Sequence, residues 1–182
     1  MKNQTKNKYN KNNIFKFFTE WIMPVIAAIG IALLINKFLI FNVYIPSTSM
    51  VPTINVGDRL MVNRVYKKDN LKRGDILVFY SNELQETLIK RVIGFPGDHI
   101  IIKDGTVNVN GEELKEDYVK NNEYNNEELV YDVPEGKYFF LGDNRPVSKD
   151  SRRWINPYID EDDIKGKAIL KFYPIMDFGS ID

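Results

Sequence analysis

Two serines lie between two prolines in the segment Pro46-Ser-Thr-Ser-Met-Val-Pro52, just after a long apolar run. A serine hydroxyl is a weak nucleophile until a neighbouring base takes its proton, so Ser47 and Ser49 need such a base to do chemistry. On its own the segment also reads as a linker rich in Ser, Thr and Pro. Serine chemistry is therefore predicted only if a second segment supplies the base.

Lys90 lies in an apolar run that is typical of a strand, Leu88-Ile-Lys-Arg-Val-Ile93. Alternate side chains of a strand share a face, so Lys90 and Arg91 are predicted to point to opposite sides. Burial disfavours the ammonium, and lowering its pKa from about 10.4 to about 7–8 takes roughly 3–4 kcal/mol. A neutral amine could then act as general base towards a serine hydroxyl. The alternative is a Lys90 whose amine reaches out into water.

A third polar segment, Gly142-Asp-Asn-Arg-Pro-Val-Ser-Lys-Asp-Ser-Arg152, follows the apolar strand Tyr138–Leu141. Its side chains can hydrogen-bond to the backbone and to each other. A plain polar turn and a cation site built on Asp143 and Asp150 are the alternatives. We expect neither a metal nor a cofactor, because the chain has one His and no Cys.

In this order, and after one apolar span, the three segments resemble the type I signal peptidases, which are membrane-bound peptidases with a Ser/Lys dyad. Each motif alone is weak, whereas the ordered set is specific, and the resemblance covers nearly all of residues 21–174. The matching stretches are Pro46–Thr53, Gly57-Asp58, Lys90–Asp98, Gly142–Arg145 and Ser148–Arg152.

The resemblance implies that Ser49 is the nucleophile and Lys90 the general base. It implies that Ser47 and the Ser49 N–H stabilise the oxyanion, and that Ser148 hydrogen-bonds to Lys90 and orients it. The other residues it assigns are Arg91, Asp143, Asp150 and Arg152, which would brace the site with Arg91 paired to Asp143, and Pro46 and Met50, which would contact substrate.

The resemblance also implies an all-β catalytic core that cuts signal peptides of exported preproteins after small residues. The substrate would bind as an added strand. The expected partners are these peptides and the phospholipid bilayer, with no nucleic acid, and the oligomeric state stays open. Pro146-Val147 departs from the family, which usually has acidic or amide residues there, and the short stretch between Lys90 and Gly142 indicates that no large accessory domain is present.

Two other functions fit parts of the sequence. An inactive relative could serve as a scaffold in secretion or pilus assembly, but it would need neither Ser49 nor Lys90. A self-cleaving repressor of the SOS type resembles the same core and Ser/Lys pair. Such a protein would carry a DNA-binding module at its N-terminus, where this chain has an apolar span.

The element that would place the site at a membrane is the apolar span Ile22–Phe41. Twenty helical residues reach about 30 Å, the thickness of the hydrocarbon core. A buried helix of a soluble protein and a cleaved signal peptide are the alternatives, and no small-x-small cleavage site follows the span. Five Lys and one Glu in residues 1–20 predict a cytoplasmic N-terminus. The sequence thus predicts a basic tail (1–20), an anchor in the plasma membrane (21–41) and an outer catalytic domain (42–182).

The outer domain is predicted to be mainly β, a coiled or barrel-like antiparallel sheet behind the single transmembrane helix. Short β-rich runs alternate with turn pairs, of which Asp104-Gly105 and Asn110-Gly111 are the clearest hairpin signals. With 43% hydrophobic residues in 182, the chain can build a core. The acidic segment 112–135 is predicted to be a solvated excursion and His99 to be structural. Ile45, Met50 and Trp154 are predicted to be exposed towards lipid.

Overall fold

The computed structural model describes residues 15–65, 68–120, 122 and 127–181. Most of the predicted basic tail therefore lies outside the described residues. The chain forms two compact units, the first ending at Ile40 and the second beginning at Phe41.

The first unit contains one helix, Phe15–Phe38, which is long and apolar enough to cross a membrane. Its π-helical turn Phe18–Ile22 leads into the α-helix α1, Met23–Phe38. Pro24, which has no backbone N–H to donate, is the second residue of α1 and comes just after the π-helical turn. Trp21 is 68% exposed.

The helix Phe15–Phe38 contains most of the predicted anchor at 21–41, but it starts and ends earlier. Ile40–Tyr44 form a strand with alternating exposure instead. A short apolar run fits a helix and a strand equally well, so hydropathy alone could not place this boundary.

Twelve strands among the described residues build two antiparallel sheets in the second unit, which confirms the mainly β prediction. The strands are β1 (Ile40–Tyr44), β2 (Arg59–Arg64), β3 (Ile76–Ser81), β4 (Glu86–Gly94), β5 (His99–Lys103), β6 (Thr106–Val109), β7 (Glu112–Glu113), β8 (Leu129–Asp132), β9 (Lys137–Leu141), β10 (Tyr158–Asp160), β11 (Ile164–Tyr173) and β12 (Gly179–Ser180). Short 3-10 helices lie at Lys68–Asn70, Glu161–Asp163 and Ile175–Asp177.

The larger sheet has the strand order β1-β2-β11-β3-β4-β9-β10, with β12 added to β11. β4 thus lies between β3 and β9, with Leu77 opposite Lys90 on one side and Leu141 opposite Arg91 on the other. Neighbouring strands on both edges fix the direction of each β4 side chain, which is how the sheet positions the candidate base.

The smaller sheet has the order β7-β6-β5-β8. Asp104-Gly105 joins β5 to β6 in a two-residue turn, and both residues have positive φ, as the sequence predicted. Asn110-Gly111 does the same between β6 and β7. His99 at the start of β5 is half exposed, with Nδ1 2.6 Å from Asp132 Oδ1 on β8.

Three clusters of apolar side chains form the core. In the first, Phe79 stacks on Phe140 with ring centroids 4.2 Å apart, and Trp154 meets Phe79 edge-on. Ile45 and Met50 are buried in the third. The prediction that Ile45, Met50 and Trp154 reach towards lipid is wrong, because these side chains are 2%, 0% and 8% exposed.

The acidic segment 112–135 is only partly the solvated excursion that its composition predicted. It contributes β7 and β8 to the smaller sheet, and Val133 is buried. In its stretch 114–118 the exposure alternates: Lys115 and Asp117 are exposed, whereas Leu114, Glu116 and Tyr118 are partly buried. Composition concealed this alternation because the inward positions include a charged residue.

Candidate active site

Ser49 lies in the loop between β1 and β2, with only 8% of its surface exposed. Its carbonyl oxygen accepts a hydrogen bond from Asn144 N at 3.0 Å, and Asn144 Nδ2 donates to Thr48 O at 3.1 Å. The loop after β9 therefore fixes the backbone on which the Ser49 hydroxyl is carried.

Lys90 Nζ lies 2.6 Å from Ser49 Oγ, although the two residues are 41 positions apart. The lysine is 3% exposed, so of the two alternatives, a buried amine and an amine that reaches into water, the structure has the buried one. Lys90 Nζ also donates to Ile89 O at 3.1 Å. A neutral amine at this distance can accept the hydroxyl proton directly.

Burial lowers the pKa of Lys90 from 10.5 to about 8, because the ammonium loses its hydration. The nearby charges of Asp150, Glu86 and Asp143 act in the opposite direction. With a pKa of about 8, roughly a tenth of the lysines are neutral at pH 7. The side chain is thus poised to exchange a proton near neutral pH.

Ser47 Oγ lies 3.3 Å from Ser49 Oγ on the exposed side of the loop. The neighbouring Pro46 is also exposed, and both residues border a cleft. Met50, in contrast, points into the core with 0% of its surface exposed, so the structure gives no support to a contact between its side chain and a substrate. Its apolar side chain is buried where the loop turns back over the sheet.

Within the described part of the chain, Ser148 Oγ is buried without a hydrogen-bond partner, so the predicted hydrogen bond to Lys90 is not formed. The side chain instead packs against Gly142, where an added Cβ would collide with Ser148 Oγ and lie 2.5 Å from Ser49 O. Ser148 therefore lies beside the loop that carries Ser49, and Gly142 packs closely against both residues.

Arg91 points away from Lys90, as strand alternation predicted, and pairs with Asp143 as expected. Its Nε donates to Asp143 Oδ1 at 2.9 Å and a terminal nitrogen donates to Oδ2 at 2.7 Å. Thr53 Oγ1 donates to the same carboxylate at 2.5 Å. Since Thr53 follows Ser49 by four residues, Asp143 ties β4 to the loop that carries the serine.

Asp150 and Arg152 form a second pair that is almost fully buried. Arg152 donates to both Asp150 oxygens at 2.9 Å, and Gly142 N donates to Asp150 Oδ2 at 3.0 Å. A guanidinium thus holds each of Asp143 and Asp150. Among the described residues no group of three or more His, Asp and Glu side chains is arranged to hold a metal ion.

Three side chains around the site were missed by sequence reasoning: Thr53, Glu116 and Tyr118. Arg145, which precedes the unusual Pro146-Val147, donates to Gly142 O at 3.1 Å and to Glu116 Oε1 at 2.5 Å. The alternation of inward and outward residues in 114–118 was the signal that could have revealed Glu116 and Tyr118.

A cleft of about 380 Å³ reaches Lys90 and Ser47. It runs between the end of β1 and the first half of β4, and its lining is mostly apolar. An extended peptide fits between two such strands by adding its own main-chain hydrogen bonds. The cleft is lined by Val43–Ser47, Val78 and Glu86–Lys90.

A buried amine beside a serine hydroxyl indicates a serine peptidase, and comparison with known proteins leads to the same class of protein. Residues 18–173 match the family described as signal peptidase, peptidase S26. Signal peptidase I of Bacillus licheniformis is 36% identical, covering 98% of this chain and 99% of that protein. Signal peptidase IB of Staphylococcus aureus strain COL is 38% identical, covering 90% and 93%.

A solved signal peptidase I from Enterococcus faecalis V583 is 32% identical, covers 54% of this chain and 96% of that chain, and has a TM-score of 0.48. The family match spans most of the chain, and the two curated relatives align almost end to end. The chain belongs to the signal peptidase family, peptidase S26.

Proposed function

We propose that Ser49 and Lys90 are the catalytic residues with which this serine peptidase removes signal peptides. Membership of the family supports the activity, and no observation on the described residues favours an inactive scaffold. The observation that carries the residue assignment is the 2.6 Å separation of Lys90 Nζ and Ser49 Oγ in a buried setting.

In the first half of the reaction, the neutral Lys90 amine takes the Ser49 proton while Oγ attacks the scissile carbonyl carbon. The resulting tetrahedral intermediate collapses when the Lys90 ammonium gives its proton to the leaving amine. The C–N bond breaks and an ester forms between Ser49 and the signal peptide. The new N-terminus of the mature protein then leaves the cleft.

In the second half, Lys90 accepts a proton from a water molecule, and the hydroxide attacks the ester carbonyl. The second intermediate collapses as the Lys90 ammonium returns its proton to Ser49 Oγ. The ester bond breaks, the signal peptide leaves as a carboxylic acid that gives its proton to the solvent, and the enzyme regains its starting state.

Ser47 is the side chain best placed to help the Ser49 N–H hold the negative oxygen of both intermediates. Its hydroxyl lies 3.3 Å from Ser49 Oγ on the cleft side. A donor that meets charge only as it develops contributes about 3 kcal/mol. We expect Ser47→Ala to lower kcat while leaving KM nearly unchanged.

The peptide binds as an extended strand in the cleft between β1 and β4. In such a strand alternate side chains face the same way, so only every second residue of the peptide contacts the wall of the cleft. We propose that this cleft admits small side chains next to the scissile bond.

The helix Phe15–Phe38 would cross the plasma membrane once, with the Lys-rich N-terminus in the cytoplasm. The catalytic unit would then lie outside, where signal peptides emerge. Protease added to intact cells should degrade the catalytic unit and spare an epitope at the N-terminus; the reverse pattern would contradict this orientation.

The activity is tested with full-length protein in detergent, a preprotein and mass mapping of the cut. Wild type should cut once after a small residue, and Ser49→Ala and Lys90→Met should each abolish the cut while keeping the circular dichroism spectrum. Substantial turnover by Lys90→Met would overturn the mechanism, and an inactive wild type would overturn the proposed function.

A further inference from the structure

The Arg91 side of the site is covered by the stretch 114–118, which belongs to none of the motifs found in the sequence. Arg91, the β4 neighbour of Lys90, has its edge occupied by Asp143 and by Gly74 O, to which it donates at 2.6 Å. The face of its guanidinium is covered by the Tyr118 ring, 3.8 Å from the ring centroid. Stacking of this kind is strongest when both groups are shielded from water, and the Arg91 side chain is 2% exposed.

The same segment reaches the second support of the site through Glu116. Glu116 Oε1 accepts hydrogen bonds from Tyr118 Oη at 2.7 Å and from Arg145 at 2.5 Å. Arg145 in turn donates to Gly142 O. Burial raises the pKa of Tyr118, so its hydroxyl keeps its proton and remains a donor.

The ion pair between Arg145 and Glu116 is buried, so breaking it would leave a charge without a partner inside the protein. The Glu116 and Arg145 side chains are 9% and 3% exposed. A buried guanidinium that loses its carboxylate must find another partner or move towards water. Arg145 contacts Gly142 and Arg91 contacts Asp143, and these are the two residues that begin the loop holding Ser49 O through Asn144.

We propose that Glu116 and Tyr118 are positioning residues of the peptidase, which hold Arg91 and Arg145 and through them keep Ser49 and Lys90 at reacting distance. The inference rests on the proposed function. The described stretch 114–118 would thus cover the Arg91 side of β4, which faces away from Lys90. A displacement of reacting groups by about 1 Å can cost a hundredfold in rate, so loss of this contact should be visible in kcat.

Three full-chain variants in detergent test the proposal against a signal-peptide substrate. Tyr118→Leu removes the ring over Arg91 and should lower kcat at least about tenfold with KM within about twofold, because the dyad and not the cleft is disturbed. Tyr118→Phe keeps the ring and should restore most of that loss. Glu116→Gln keeps the shape and removes the charge, and it should fall between the two.

Lys115→Ala and Asp117→Asn are the matched controls, because they alter the same segment at side chains that are 84% and 78% exposed. Both should keep wild-type kcat. Melting temperatures measured on all variants separate positioning from folding, because rates are compared per folded molecule.

The proposal is overturned if Tyr118→Leu keeps wild-type kcat, or if Tyr118→Phe loses as much as Tyr118→Leu. It is also overturned if the controls lose as much as the test variants. Because wild type is measured alongside, an inactive wild type refutes the proposed function, whereas an active wild type with unaffected variants refutes only this inference.

Discussion

The Lys90 amine keeps a low pKa even though the carboxylates of Asp150, Glu86 and Asp143 all act to raise it. Glu86 is exposed to water, which screens its charge. Asp143 is held by Arg91 and Asp150 by Arg152, so both carboxylates are already neutralised by guanidiniums. The amine itself contacts the neutral oxygens of Ser49 and Ile89. Pairing the acids with arginine leaves the desolvation of the lysine dominant.

The pH dependence of cleavage should follow the ionisation of Lys90. Because the neutral amine is the active form and its pKa is about 8, kcat/KM should rise about tenfold per pH unit below that value and level off above it. A short signal-peptide substrate in detergent, assayed from about pH 6 to pH 10, measures this profile. His99→Gln is the control and should leave it unchanged; a flat profile below pH 8 would contradict the assignment.

Replacing Lys90 with methionine should abolish cleavage and stabilise the protein at acid and neutral pH. The pKa of Lys90 in the folded protein is about 8, below the value of 10.5 for a lysine exposed to water in the unfolded chain. Holding the protonated amine in the core therefore costs the folded state up to about 3 kcal/mol. This cost is full below pH 8 and is relieved as pH rises from 8 towards 10.5. Lys90→Met should therefore unfold at higher urea concentration than wild type at pH 6.5.

The advantage of Lys90→Met should shrink at pH 10, where the wild-type amine is neutral in the folded state. Urea unfolding of both proteins at the two pH values gives the comparison. A methionine variant that is less stable than wild type at pH 6.5 would show that hydrogen bonds of the lysine outweigh its desolvation.

At the scale of the elements, the turn after β9 meets the Ser49 loop at Gly142. A methyl group there would overlap Ser148 Oγ and approach Ser49 O to 2.5 Å, so the two loops would have to separate. Gly142→Ala should lower kcat at least about tenfold, since the serine moves relative to Lys90. Gly179→Ala, where no atom of the described residues lies within 4 Å of the added group, is the matched control and should behave as wild type.

The elements differ in how far the sequence predicted them, and the difference has a physical cause. Alternation placed Lys90 and Arg91 on opposite faces of β4, and the two-residue turns marked the ends of β5 and β6, because both rules are local. The burial of Met50 and the position of Ser148 depend on how loops from distant parts of the chain pack. Glu116 is a charged residue turned inward towards Arg145, which composition alone cannot reveal.

At the scale of the whole molecule, the helix and the β unit are separate compact units, so removing one should leave the other folded. A chain beginning at Leu39 should retain the kcat of the full protein on a short soluble peptide. Its cleavage of a preprotein held in vesicles should fall at least about a hundredfold, because anchoring in one membrane supplies effective concentration without new contacts.

Fusion of the shortened chain to an unrelated single-span apolar helix is the control for this prediction. It should restore cleavage in vesicles, since only co-localisation is lost. If the shortened chain cuts the vesicle-bound preprotein as fast as the full protein, proximity has no role in the activity.

The two tryptophans fall one in each unit. Trp21 is exposed on the helix that would meet lipid, whereas Trp154 is enclosed against Phe79. Fluorescence can therefore be assigned to each unit in turn: brominated lipids should quench Trp21, and unfolding of the β unit should shift the emission of Trp154. A Trp21→Phe protein would leave Trp154 as the single tryptophan, so emission excited above the tyrosine absorption band would report the catalytic unit alone, without any attached dye.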